Sequence, residues 1–229
     1  MSSETDMAPE ETAGLQKTRR RGYMPERGTL LVVSAPSGAG KSFLVTRAIE
    51  QIEGLRFSIS YTTRQPRGLE RHGEDYFFVS EATFLEMRER GEFLESATVH
   101  GNLYGTHSGT IERMLAEGYD VILDIDVQGA AQVRERLKDA VTVFILPPSK
   151  RVLETRLRRR NLNDIEDLAR RLGNATEEVQ LYERFDYVII NDDRDRAFSA
   201  LKAIIIAERR RPFRQQNMIK SILDKFGGE

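Results

Sequence analysis

An α/β fold with a parallel sheet covered by helices is what this sequence predicts, and three observations predict it. Short apolar runs at 30–34 (LLVVS), 121–126 (VILDID), 141–147 (VTVFILP) and 185–191 (FDYVIIN) alternate with amphipathic stretches of helical period, the pattern of strands buried on both faces. A glycine-containing turn, APSGAGKS at 35–42, carries the first run straight into a helix. The 229 residues suit one large domain with a small inserted subdomain.

Composition narrows the function classes. Lys plus Arg number 35 against 36 Asp plus Glu, so a net charge of -1 gives no global case for nucleic acid or a membrane surface. Any anion site must be local. There is no cysteine, hence no disulfide framework and no thiolate metal site, which fits a reducing, cytoplasmic setting. No apolar run approaches the length of a membrane span, and the N-terminus is polar. Oligomeric state is not legible in the sequence.

The turn after the first strand has the chemistry of a phosphate cradle. A strand ending in such a loop presents several backbone N–H groups and a helix N-terminus to one anion. Gly38 and Gly40 let the backbone approach closely. Lys41 is placed to reach the outer phosphates of a nucleoside triphosphate, and the Ser42 hydroxyl to hold the Mg2+ that bridges them. Ala35 stands where the usual pattern has its first glycine. The cradle is thus Ala35, Pro36, Ser37, Gly38, Ala39, Gly40, Lys41 and Ser42.

The remaining elements follow in order. Residues 1–27 are polar and turn basic at Lys17, Arg19, Arg20 and Arg21, the composition of a flexible tail. A helix is expected over 43–52 and a strand over 55–60, opening into a polar loop, YTTRQPR, where Pro66 and Gly68 argue against a helix. DYFFVS at 75–80 reads as a strand, 81–90 as a helix, and 93–104 as a strand and turn ending in GNLYG. This is a small polar and aromatic module between two halves of the core. A helix over 108–117 is expected to be capped by Ser108. In the strand at 121–126, Asp124 and Asp126 share a face because they are two apart, near the carboxyl ends where such sheets bind ligands. Helices are expected at 128–138, 149–160, 164–182 and 195–210, the second and third carrying Arg156, Arg158, Arg159, Arg160, Arg170 and Arg171. The chain closes with a polar tail at 212–229.

Taken together, the cradle and the stretches SYTTRQPR, DYFFVS, GNLYGT and LDIDVQG resemble the guanylate kinases from about residue 28 to residue 201, in order and spacing. The resemblance implies a P-loop NTPase core (28–59, 107–148 and 185–211), a GMP-binding subdomain (60–106) and an Arg-rich helical lid (149–184). It implies ATP and GMP, and dGMP, as substrates, with Mg2+ as cofactor. Ser60, Arg64, Arg67, Tyr76 and Tyr104 match the positions that bind the GMP phosphate; Glu95, Thr106 and Asp124 match those that recognise guanine. Arg156, Arg160 and Arg171 match the lid arginines that close on the transferring phosphoryl group beside Lys41, and Asn191 a residue near the adenine. The chemistry agrees: guanidiniums and phenols wrap a dianionic phosphate, and a carboxylate accepts from both N1–H and the exocyclic amine of guanine, whereas adenine has no N1–H. Two other classes are compatible with the fold. One is a catalytically silent domain that binds peptides, where an eroded cradle is expected. The other is a kinase of a different phosphorylated small molecule.

Overall fold

The computed structural model describes residues 27–99, 101–160 and 165–227, and the side chains of all of these except 160 and 165–167. The N-terminal segment with its basic run and the lid turn at 161–164 lie outside the described residues.

β1 (Leu30–Ser34) is buried along its whole length, as its apolar run requires, and it sits at the centre of a five-stranded sheet. The order is β2 (Leu55–Phe57), β7 (Asp120–Asp124), β1, β8 (Val141–Leu146), β9 (Tyr187–Ile190), and every pairing is parallel. Alternate side chains of β1 serve opposite faces. Leu31 and Val33 pack with Leu44 of α1 (Lys41–Gln51) and with Leu201 and Ile205 of α7 (Arg194–Glu208). Leu30 and Val32 pack with Ile111 of α3 (Ser108–Ala116) and Val133 of α4 (Val127–Arg136). Because β7 and β8 flank β1 on opposite sides, a crevice opens at the carboxyl end of β1.

The expected strand over 55–60 is divided between two sheets. After Ser58 donates its N–H to Ile122 O at 3.2 Å, the chain leaves the core and Tyr61 pairs with Gly105. The second sheet runs β4 (Phe77–Phe78), β3 (Tyr61–Thr62), β6 (Asn102–His107), β5 (Phe93–Val99). The strand expected over 75–80 is therefore two residues long, with Tyr76 held by a bridge to His72. α2 (Glu81–Glu89) covers this sheet by burying Phe84 and Met87, and the Ser80 hydroxyl caps it.

Two capping roles fall elsewhere than expected. His107, not Ser108, caps α3, its Nδ1 accepting from Thr110 N–H at 3.2 Å, while the Ser108 hydroxyl donates to Glu92 O. β7 ends at Asp124, so Asp126 is not its partner on a strand face; the Asp126 carboxylate caps α4 by accepting from Gly129 N–H at 2.8 Å.

α5 (Lys150–Arg160) and α6 (Ile165–Glu178) join through Leu153, Leu157, Leu168 and Ala175. The helix expected to run through Tyr182 tightens after Glu178 into a 3₁₀ segment, Val179–Arg184. The expected polar tail contains α8 (Gln216–Phe226), an amphipathic helix none of whose residues is buried.

Candidate active site

The cradle is shaped by its two glycines. Gly38 and Gly40 have φ of 87° and 98°, where a β-carbon is strained. A Cβ on Gly40 would stand 2.3 Å from Asn191 Nδ2, and one on Gly38 2.9 Å from the Leu157 side chain. The loop is thus packed directly against α5 and the end of β9. Asn191 Nδ2 donates to Ala39 O at 2.7 Å. Arg156 donates from one nitrogen to Ala39 O at 3.0 Å and from the other to Asn191 O at 2.9 Å. Asn191, expected near an adenine, is 2% exposed and braces the loop. Ala35 packs against the main core cluster, which gives its methyl group a use where a glycine is usual.

Lys41 opens α1 on the other side of the loop. Its ammonium lies 2.6 Å from Asp124 Oδ1 and donates to Ile125 O at 2.7 Å. Ser42 follows with an exposed side chain in the first helical turn. Phe43 is 39% exposed, with the Arg194 guanidinium 4.8 Å from its ring centroid.

A second cationic cluster stands on the module. Arg64 is buried and donates from each of its three guanidinium nitrogens: to Tyr104 Oη at 3.2 Å, to Glu70 at 2.9 Å and to Gln65 O at 2.8 Å. The Glu70 bond, above all, raises the Arg64 pKa, and the same bond lowers that of Glu70. Tyr76 and Tyr104 meet edge to face with ring centroids 5.9 Å apart. Burial first, then Tyr104 and Asp124, push the Tyr76 phenol up, so this cluster lies within electrostatic reach of the same Asp124 that holds Lys41. Arg67 is exposed at the loop, its backbone N–H bonded to Glu70 at 2.8 Å, and Ser60 is half-buried with its carbonyl accepting from Phe77 N–H at 2.9 Å.

Deeper in the module, Glu95 is 3% exposed and accepts from the Thr106 hydroxyl at 2.6 Å. Desolvation raises its pKa to about 7. A Cβ on Gly129 would come within 2.6 Å of Glu95 Oε2, so the glycine allows α4 to approach. Gln132 bonds Ser96 in both directions, at 3.1 and 2.8 Å, and Arg136 donates to Phe93 O and Leu94 O. These bonds tie the module to the core helix.

α5 and α6 hold the arginines expected to form a lid. Arg160 ends α5, and its side chain lies outside the described residues. Arg171 is half-buried on α6. At the C-terminal end of α6, Glu178 is half-buried, and burial first, then Asp126, raises the pKa of its carboxyl.

The structure therefore gathers Lys41 with Asp124, Arg156 with Asn191, Arg64 with Tyr104 and Tyr76, and Glu95 with Thr106. Sequence reasoning missed Glu70, Gln132 and Arg136. Gln132 and Arg136 are lone polar residues whose roles depend on contacts across elements; only the Arg64 to Glu70 spacing within one loop offered a signal.

Comparison with known proteins adds independent findings. The sequence model described as guanylate kinase matches residues 27–208. A guanylate kinase of Koribacter versatilis is 50% identical over 185 residues, 80% of this chain and 79% of that protein. One from Escherichia coli K12 is 49% identical over 202 residues, covering 87% of this chain and 98% of its own. The crystal structure of guanylate kinase from Anaplasma phagocytophilum superposes with a TM-score of 0.70 at 33% identity, covering 84% of this chain and 92% of that one.

Proposed function

The chain belongs to the guanylate kinase family, and from that premise we propose how its residues divide the work. It transfers a phosphoryl group from ATP to GMP. The phosphates of ATP lie in the loop 35–42 with Lys41 on the outer ones. The GMP phosphate, and that of dGMP, lies among Ser60, Arg64, Arg67, Tyr76 and Tyr104, while Glu95, Thr106 and Asp124 take the guanine. Core, module (60–106) and lid (149–184) are then three parts that close over one crevice.

The observation that carries this reading is the position of Asp124. It is bonded to Lys41 on the cradle side and its charge helps raise the Tyr76 phenol on the module side, so two anion-binding clusters lie within electrostatic reach of a single carboxylate. That arrangement suits a donor and an acceptor phosphate held end to end.

The chemistry asks little of proton transfer. A phosphate monoester with a second pKa near 6 is largely ionised at pH 7, so its oxygen needs no base. Positioning and charge neutralisation remain. Lys41 must turn from Asp124 and Ile125 O toward the phosphates, and Arg156, Arg160 and Arg171 offset charge from the lid while excluding water. The site fits Mg2+ arriving with ATP, since Ser42 presents a free-standing hydroxyl in the first turn of α1 beside Lys41. Bound there by Ser42, the ion would supply further neutralisation of phosphate charge. The cysteine-free composition is in keeping with a cytoplasmic location.

The test is a coupled ADP-release assay with ATP and Mg2+, first with GMP and then with AMP. Release is expected only with GMP. Release without any monophosphate acceptor would mean a simple ATPase, and equal release with AMP would remove Glu95 from base recognition.

A further inference from the structure

A cavity of about 250 Å³ opens between α4, β8 and the 3₁₀ segment Val179–Arg184, and its lining holds no residue of the loop 35–42 or of the module. Ala130, Leu181 and Phe185 make its lining largely apolar. Phe185 is fixed there, its ring stacked on Phe144 with centroids 4.6 Å apart and its N–H bonded to Tyr182 O at 3.1 Å. Thr142, which also lines the cavity, is already engaged: its hydroxyl donates to the Asp186 carboxylate at 2.7 Å and accepts from Asp186 N–H at 2.9 Å.

Cations from separate elements meet around this apolar lining. Arg134 belongs to α4, Lys138 follows its end, and Arg184 comes from the 3₁₀ segment; Glu135 is the one acid among the lining residues. Among the described residues, none of the three cations is hydrogen-bonded or ion-paired. A helix C-terminus favours positive charge, which accounts for Arg134 and Lys138. It does not account for Arg184, which the fold brings to the same cavity from another element. Three like charges gathered beside one carboxylate repel one another, and a bound anion relieves that repulsion.

α4 turns opposite faces to two tasks. Gly129, Gln132 and Arg136, spaced three and then four apart, meet the module at Glu95, Ser96 and Phe93. Ala131, Arg134 and Lys138 repeat that spacing half a turn away and line the cavity. We infer that the cavity is a further binding site, one for a small aromatic phosphate, with the ring against Ala130, Leu181 and Phe185 and the phosphate among Arg134, Lys138 and Arg184. Its volume is below the roughly 300–1,000 Å³ of sites for drug-sized ligands, so it takes a single ring system. Such a ligand ties the helix that holds the module to the segment that joins α6 to β9.

The experiment is a titration of naphthyl phosphate into the full chain, followed by the probe's own fluorescence, which no tryptophan obscures. ADP and GMP are present at saturation, so that neither nucleotide cluster is open to the probe. A Kd of about 0.1–1 mM is expected for a ligand of this size, with slower amide exchange over 179–185. Lys138→Gln and Arg184→Gln should each weaken binding about threefold to tenfold, the loss of one exposed charge-assisted bond. Ala131→Trp should abolish binding by filling the cavity from its exposed side. GMP turnover is expected to be unchanged in all three variants, which certifies their fold. Absence of binding would overturn the inference, as would equal binding of uncharged naphthalenemethanol or binding that survives Ala131→Trp. Binding seen only when ADP and GMP are left out would overturn it too, since the probe would then be seated in the nucleotide clusters.

Discussion

The ammonium of Lys41 is 2.6 Å from Asp124 Oδ1, across the gap between the start of α1 and the end of β7. The carboxylate thus holds the lysine at the crevice before any phosphate is present. Lys41→Met is expected to lower kcat by about a hundredfold to a thousandfold, the usual cost of one preorganised charge at a reacting phosphoryl group. GMP affinity should shift by less than tenfold, because Arg64, Tyr104 and Glu95 are untouched. Both partners are partly solvated, so stability should change by no more than about 1 kcal/mol. Steady-state rates with GMP titration and a thermal melt check all three; a near-normal turnover would remove Lys41 from the mechanism.

Glu95 gives a pH dependence of defined sign. Its folded pKa of about 7 lies above the ordinary 4.5 because burial disfavours the charge. Between those values the folded chain keeps a proton that the unfolded chain has released. The stability it contributes is therefore fully present below about pH 4.5 and lost as pH rises through about 7, on the order of 3 kcal/mol in all. Guanine needs the opposite state, since only the ionised carboxylate accepts from both N1–H and the amine. GMP should bind about tenfold more tightly at pH 8 than at pH 6, while Glu95→Gln should melt higher at pH 8, bind GMP about a hundredfold more weakly and lose the pH trend in stability. Melting curves and GMP titrations across that range decide it.

The Arg64 guanidinium meets Tyr104, Glu70 and the Gln65 carbonyl at once, an arrangement only a planar fork of donors can satisfy. Arg64→Lys keeps the charge and loses the fork. KM for GMP is expected to rise about thirtyfold to a hundredfold with kcat falling less, since the lost bonds position the acceptor rather than neutralise the transferring group. Parallel titrations of GMP and ATP would show whether the defect stays on the acceptor side; a change confined to ATP would contradict the placement of Arg64.

How much of this was legible in the sequence depends on the range of the interaction. The cradle, β1 and the parallel core were legible because apolar runs and the Gly-Lys-Ser turn are local signals. The module was legible as a unit but not in its strands: β3 and β4 are two residues each, too short for a period to register. Asp126 reads in sequence as the neighbour of Asp124 and becomes a helix cap only because β7 stops first. α8 keeps Met218, Ile219, Ile222 and Leu223 at helical spacing among polar residues, and its apolar side finds no burial on the described chain. Glu70 carries no motif; its meaning lies in the Arg64 guanidinium that the loop brings to it.

The sharpest test of the cradle is at its second glycine. At Gly40 the backbone has φ of 98°, and a Cβ would press to 2.3 Å from Asn191 Nδ2. Asn191 cannot yield freely, since the same nitrogen holds Ala39 O and the Asn191 carbonyl holds Arg156. Gly40→Ala must therefore either strain the loop or break this brace. It is expected to lower stability by about 2 kcal/mol from the backbone penalty and the displaced contact, and to weaken ADP binding by at least tenfold. Asn191→Ala removes the obstruction, so in the double variant part of the stability loss should disappear while the backbone penalty remains. Thermal melts of the two single variants and the double variant measure that coupling; strictly additive losses would mean that Asn191 does not support the loop.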